Sequence, residues 1–190
     1  MSFFTSQNHI SVILPFYLLL TLTYIAQLYT KFTLTRHTKA VNALTVSPHG
    51  AMLLSGGRAL SCSFCSQLIR WSGNDSCVVV WNLTSSKMLQ EFCVPSAGFI
   101  SCLVWIKLSD GEEDTFVFGA SDGNIHLYKW SKDHPLCTFC SIVVAHKGTI
   151  ESLAWDSVHC HLASVGNSEV GLWNVSSKAS KSSYLVSHLS

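Results

Sequence analysis

Charge is what this sequence has least of. Asp, Glu, Lys and Arg make up 12% of its 190 residues, about half the usual share. The first thirty residues contain none of the four. The formal net charge is +1, so charge suggests neither nucleic acid nor an acidic partner. No G-x-x-x-x-G-K-[ST], no G-x-G-x-x-G and no H-E-x-x-H occurs. Those gaps remove the usual signatures of phosphate loops, dinucleotide sites and zinc proteases. The mean hydropathy is +0.32, high for a soluble chain, and the uncharged N-terminus contributes much of it.

Cysteine, by contrast, is plentiful. The eight are Cys62, Cys65, Cys77, Cys93, Cys102, Cys137, Cys140 and Cys160. Six fall in or beside alternating apolar runs, where a free thiol behaves as a small buried hydrophobe. They read as reduced core residues rather than a disulfide framework.

The stretch Ile10 to Tyr29, "ISVILPFYLLLTLTYIAQLY", is uncharged and about as long as a bilayer span requires. A signal peptide fits less well, because no basic n-region and no cleavage site accompany it. Lys31, Arg36 and Lys39 follow, which would keep the remaining chain cytoplasmic. The alternative readings are apolar strands of a further repeat, or a wrong gene start. "KFTLTRH", Lys31 to His37, alternates like a strand.

Three stretches resemble one another. They are "HTKAVNALTVSPHGAMLLSGG…GNDSCVVVWNL", "SAGFISCLVWIKLSDGEEDTFVFGASDGNIHLYKW" and "HKGTIESLAWDSVHCHLASVGNSEVGLWNV". Each reads as three short antiparallel strands separated by Gly, Asn and Asp turns. "KMLQEFCV" and "LCTFCSIVV" supply a fourth strand after the first and second units. Each third run ends in an aromatic: Trp81, Tyr128 and Trp173, spaced 47 and 45 residues apart. A four-stranded unit with that period is a β-propeller blade. "VVVWN" and "VGLWN", with His37 and His146 upstream, resemble the WD40 family, with Trp-Asn where the family usually has Trp-Asp. The fold expected is all-β: an incomplete WD40 propeller of about three four-stranded blades behind an apolar segment. The divisions are 1–28 for that segment, 29–176 for the repeats and 177–190 for a Ser-rich tail.

The resemblance implies a buried hydrogen-bond chain of His, Ser/Thr, Asp and Trp in each blade. A buried indole N–H and a buried carboxylate both need partners, and an imidazole between them satisfies both. By position the first repeat offers His37, Ser55, Asp75 and Trp81. The third offers His146, Ser164, Asn167 and Trp173, with Asn for Asp. The second has Asp122 and Tyr128 but Ser96 at the His position and no suitable Ser or Thr. Its blade is expected to be less rigid.

His37 to Trp81 spans 44 positions, whereas His146 to Trp173 spans 27. Removing Arg58 to Gly73 restores the repeat, so the excess lies between the second and third strands. Turn tips tolerate insertion, but this one carries Leu60, Phe64, Leu68, Ile69 and Trp71, with no Gly or Pro from Arg58 to Ser72. We read 58–73 as translated intron or a comparable error of gene assembly. Splice signals at its ends in genomic DNA are the expected observation; transcripts that always retain it would exclude the reading.

Two motifs invite a chemical reading. "CSFC" (Cys62, Cys65) and "CTFC" (Cys137, Cys140) could supply four thiolates to zinc. However, residues three apart on a strand face opposite sides of the sheet. "GASDG" matches the nucleophile elbow around Ser121, but that motif needs a helix next, and "NIHLYKW" alternates like a strand. His159 and His161 flank Cys160 without a recognisable ligand pattern. The chain is therefore expected to have no catalytic, cofactor or metal residues. The resemblance implies a protein–protein interaction scaffold without a reaction of its own. Lys39 and Lys147 occupy equivalent loops and are the candidate partner-binding rim. Three repeats do not close a ring. The expectations are a cytoplasmic adaptor, a membrane-tethered one anchored by residues 10–29, a fragment of a larger propeller, or self-association that completes it.

Overall fold

The structure is a computed structural model and describes residues 2–6, 9–16, 27–59, 75–107, 114–130, 136–177 and 184–188. The described residues form fifteen strands and one short 3-10 turn, Pro95–Ala97. The strands make four antiparallel meanders in chain order. The first has three strands, β1 (Ser2–Ser6), β2 (His9–Phe16) and β3 (Gln27–Thr35). Blade 1 comprises β4 (Val41–Val46), β5 (Met52–Ala59), β6 (Asp75–Asn82) and β7 (Lys87–Val94). Blade 2 comprises β8 (Ile100–Ile106), β9 (Asp114–Ala120), β10 (Asn124–Trp130) and β11 (Cys137–Val144). Blade 3 comprises β12 (Ile150–Asp156), β13 (His161–Gly166), β14 (Glu169–Ser177) and β15 (Tyr184–His188).

These elements follow from alternation. In β9 and β10 the residues are buried on both faces, because the sheet is sandwiched between two others. The core therefore lies between sheets. Leu34 of β3 packs with Val41, Leu53 and Trp81 of blade 1. Leu54, Val78 and Val80 of blade 1 pack with Ile100, Trp105, Phe116 and Tyr128 of blade 2. Ile106, Val117, Ile125 and Leu127 of blade 2 pack with Ile150, Leu162, Trp173 and Val175 of blade 3. Trp81, Tyr128 and Trp173 hold the same place in each third strand, all buried.

The inner strands share an irregularity. β4, β8 and β12 each carry a bulge at Asn42, Ser101 or Glu151, where the register to the second strand shifts. A bulge re-aims the extra residue out of the ladder. Asn42 Nδ2 donates to the carbonyl of Ile100 at 3.1 Å, and Ser101 Oγ donates to the carbonyl of Ile150. Each link runs to the next blade. The side chains of those isoleucines lie over glycines of the preceding blade. A Cβ at Gly56 would sit 2.7 Å from Ile100 Cγ2, and one at Gly119 2.6 Å from Ile150 Cγ2.

Where it is described, the apolar N-terminal run forms paired strands. The described parts of Ile10–Tyr29 lie in β2 and β3, which pair antiparallel from His9↔Thr35 to Phe16↔Gln27. Among the described residues no helix is long and apolar enough to cross a membrane. Ile10, Val12 and Ile13 are β-branched, and uncharged length alone does not separate one span from two paired strands. Residues 17–26 of the expected anchor lie outside the described residues. The excess in blade 1 falls between β5 and β6, whose pairing continues to Ala59↔Asp75. Residues 60–74, with Cys62 and Cys65, lie outside the description. The Ser-rich tail contributes β15, which pairs with β14 from Trp173↔His188 to Ser177↔Tyr184.

Candidate functional site

Two buried hydrogen-bond chains anchor the loops at one end of the blades. In blade 1 the Trp81 indole Nε1–H donates to Ser55 Oγ at 2.8 Å. Ser55 Oγ lies 2.7 Å from His37 Nε2. Blade 3 repeats this, with Trp173 to Ser164 at 2.8 Å and Ser164 to His146 at 2.8 Å. A hydroxyl has one proton. The oxygen accepts the indole N–H and meets the imidazole Nε2, which acts as acceptor or donor according to the tautomer. The Trp–Ser step spans 26 residues in blade 1 and 9 in blade 3, yet the geometry is the same. The inserted residues thus leave the network intact.

The fourth members differ. The side chain of Asp75 lies outside the described residues. Asn167 does not join the blade 3 chain. It sits exposed in the β13–β14 turn with a left-handed φ of 49°, and His146 Nδ1 is buried with no hydrogen-bond partner. Burial lowers His37 to about 4, Glu91 pulling it up and Arg36 pushing it down. Arg36 holds Glu91 through Nε at 2.8 Å.

Blade 2 solves the problem with other residues. Phe118 stands where Ser55 and Ser164 stand in the neighbouring blades, and its cross-strand partner is His126. The two rings stack at 4.6 Å and 7°. His126 Nε2 lies 3.2 Å from Asp122 Oδ2, and burial lowers its pKa while Asp122 opposes the shift. Asp122 also takes the backbone N–H of Asn124 at 2.9 Å and its side-chain amide at 2.8 Å. Asp122 is therefore used, Ser96 is exposed, and Tyr128 stacks on Phe116 and Phe118. The histidine comes from the third strand instead of the preceding loop. Its signal in the sequence is a lone polar ring at a core position of "NIHLYKW".

The loops entering the first strands and those joining the second to the third share one rim. Arg58 N–H donates to the Ala40 carbonyl, Ser121 N–H to that of Phe99, and His146 N–H to that of Gly123. Lys39 and Lys147 are exposed there, and the Arg58 guanidinium lies 4.6 Å over the Phe99 ring. Ser121 Oγ accepts the Phe99 N–H at 3.0 Å and lies 3.4 Å from the Ala97 carbonyl. Its hydroxyl is a loop tie, followed by a strand. Cys137 and Cys140 face opposite cores, and burial pushes Cys137 up to about 12. His159 Nδ1 pairs with Asp156 at 2.6 Å and its ring lies beside His161. Among the described residues no group of His, Cys, Asp or Glu is placed to hold a metal ion.

The sequence profile described as "WD domain, G-beta repeat" matches residues 28–82, the segment from β3 to β6. Residues 28–82 form a WD40 repeat. The blades superpose on a chain in the crystal structure of the mitotic checkpoint complex, with a TM-score of 0.61 and 18% identity. That match covers 90% of this chain and 45% of the other. The crystal structure of the RRP9 WD40 repeats matches with a TM-score of 0.51 and 19% identity, over 80% of this chain and 39% of that one. The chain thus spans less than half the length of the solved chains it matches. No curated protein matches its sequence.

Proposed function

We propose that this chain is a protein-interaction scaffold, cytoplasmic and without catalytic activity, whose loop rim receives an acidic segment of a partner. The observation that carries the reading is the rim itself. Buried hydrogen bonds at His37 and His146 fix loops that present Lys39 and Lys147 to solvent. A rigid support lowers the ordering cost of binding. Glu91 is engaged by Arg36 and Asp122 by Asn124 and His126, while Glu151 and Glu169 stand exposed beside the loops of blade 3. Lys39, on the blade 1 loop, is the stronger complement to a partner's negative charge.

The test is capture with the full chain and with Lys39→Glu/Lys147→Glu, followed by affinity measurement on the protein retained. A partner held through this rim should lose about tenfold or more in affinity in the double variant and weaken with salt. Unchanged affinity excludes the rim. Fractionation of the tagged chain tests the placement, with recovery in the membrane pellet as the contrary result.

A further inference from the structure

We propose that the open face of blade 3 binds the N-terminal three-stranded sheet of a second copy of this chain, closing a ring of two copies. The residues three and one before the terminal aromatic are Val78 and Val80 in blade 1, both 0% exposed, and Ile125 and Leu127 in blade 2, both 1% exposed. In blade 3 they are Val170 and Leu172, 74% and 41% exposed. The next blade covers the first two pairs, and nothing described covers the third. Ala154 and Val165 continue the same face. A contiguous apolar surface of this kind marks an interaction site.

The inner strands say what covers it. Asn42 and Ser101 reach the carbonyl of an isoleucine on the next blade, whose side chain rests over Gly56 or Gly119. Blade 3 has Glu151 at the bulge, and a carboxylate does not donate to a carbonyl. It has Val165 at the glycine position, paired with Val170 as Gly56 pairs with Val78 and Gly119 with Ile125. Both changes turn away an inner strand bearing isoleucine, while the apolar pair further out is kept. The sheet that fits has the outer three strands of a blade and no inner one. Among the described residues the sheet β1-β2-β3 has that form, and β3 leads into β4 as β7 leads into β8.

The number of copies follows. Propellers close with four to eight blades. The described residues of each copy form four sheets, which on their own leave Val170 and Leu172 uncovered; two copies reach eight and three exceed the range. The contact is head-to-tail at both junctions, which a two-fold rotation closes. Two copies also match the length of the checkpoint-complex chain, of which one copy covers 45%. The inference needs the propeller fold but not the partner rim.

Light scattering coupled to size exclusion on the full chain tests it. The expected mass is twice 20.9 kDa. Val170→Asp/Leu172→Asp should reduce it to a single copy. Val158→Asp, at an 81% exposed apolar site in a turn, should not. A wild-type mass of one copy, a species larger than two, or a dimer that the double substitution leaves intact overturns the proposal. Should the double variant lose its circular-dichroism signal, Val170→Asp alone decides. Lys39→Glu/Lys147→Glu should keep the two-copy mass, so failure of the rim and failure of the ring are read separately.

Discussion

At the scale of single residues, the blades depend on a few buried polar atoms that must find one another. Ser55 accepts from Trp81 and meets His37. Ser55→Ala would leave the indole N–H and the imidazole without that partner, and each orphaned buried group costs about 1–3 kcal/mol. Urea unfolding should show a loss of about 2–6 kcal/mol for the two groups together, with Trp81 fluorescence reporting on the site. Ser164→Ala should cost about as much, because it removes the partner of the same two groups, the Trp173 indole N–H and His146 Nε2. His37 also gives stability a pH dependence. Its pKa is about 4 in the folded chain against an ordinary 6.5, chiefly because burial disfavours the charged ring. The unfolded chain takes up a proton near 6.5 and the folded chain does not until about 4. Stability is therefore full above about 6.5, falls as the pH drops towards about 4, and is flat below, losing about 3 kcal/mol from this group. His126 acts in the same direction. His37→Gln should flatten the profile between pH 7 and pH 4, measured by denaturant midpoints.

At the scale of elements, the blades are joined by a repeated fitting of isoleucine over glycine. Gly119→Ala places a Cβ 2.6 Å from Ile150 Cγ2 and 2.7 Å from Cys102 Sγ. Ile150 is β-branched and stiff, so the blades must move apart. The expected loss is about 1–3 kcal/mol, read by thermal melting, and Ile150→Ala should offset part of it in the double variant. Much at this scale was legible in sequence. The aromatics Trp81, Tyr128 and Trp173 marked three third strands because alternation and period point to the same positions. "KMLQEFCV" is β7 as written. The His126–Phe118 exchange was not legible. It replaces a loop histidine with one on a paired strand, and only cross-strand register brings those positions together. The roles of Gly56 and Gly119 were hidden likewise, since nothing local distinguishes them from turn glycines.

At the scale of the whole molecule, the cores lie between sheets, so each sheet depends on its neighbours. β3 shows this most directly, because Leu34 and Phe32 complete the core around Leu53 and Trp81. A fragment of residues 29–176 keeps them and should melt cooperatively by circular dichroism. A fragment starting at His37 exposes that face and should melt at least several degrees lower, since about 1 kcal/mol shifts a midpoint of a chain this size by a few degrees. Equal midpoints would mean that the N-terminal sheet contributes nothing to blade 1. The same dependence makes the apolar face of blade 3 a site of assembly.

The amino-acid sequence by itself determined the repeat. Alternation, turn residues and a period of 45 to 47 are local properties, and they specify four-stranded units wherever the chain is placed. It also determined where the extra residues of blade 1 fall, because the repeat resumes on either side. Only the tertiary structure decided which polar residues meet, which isoleucine lies over which glycine, and which apolar residues remain uncovered. Those depend on how one sheet packs against the next, and Val78, Ile125 and Val170 share one place in the pattern while differing from 0% to 74% in exposure.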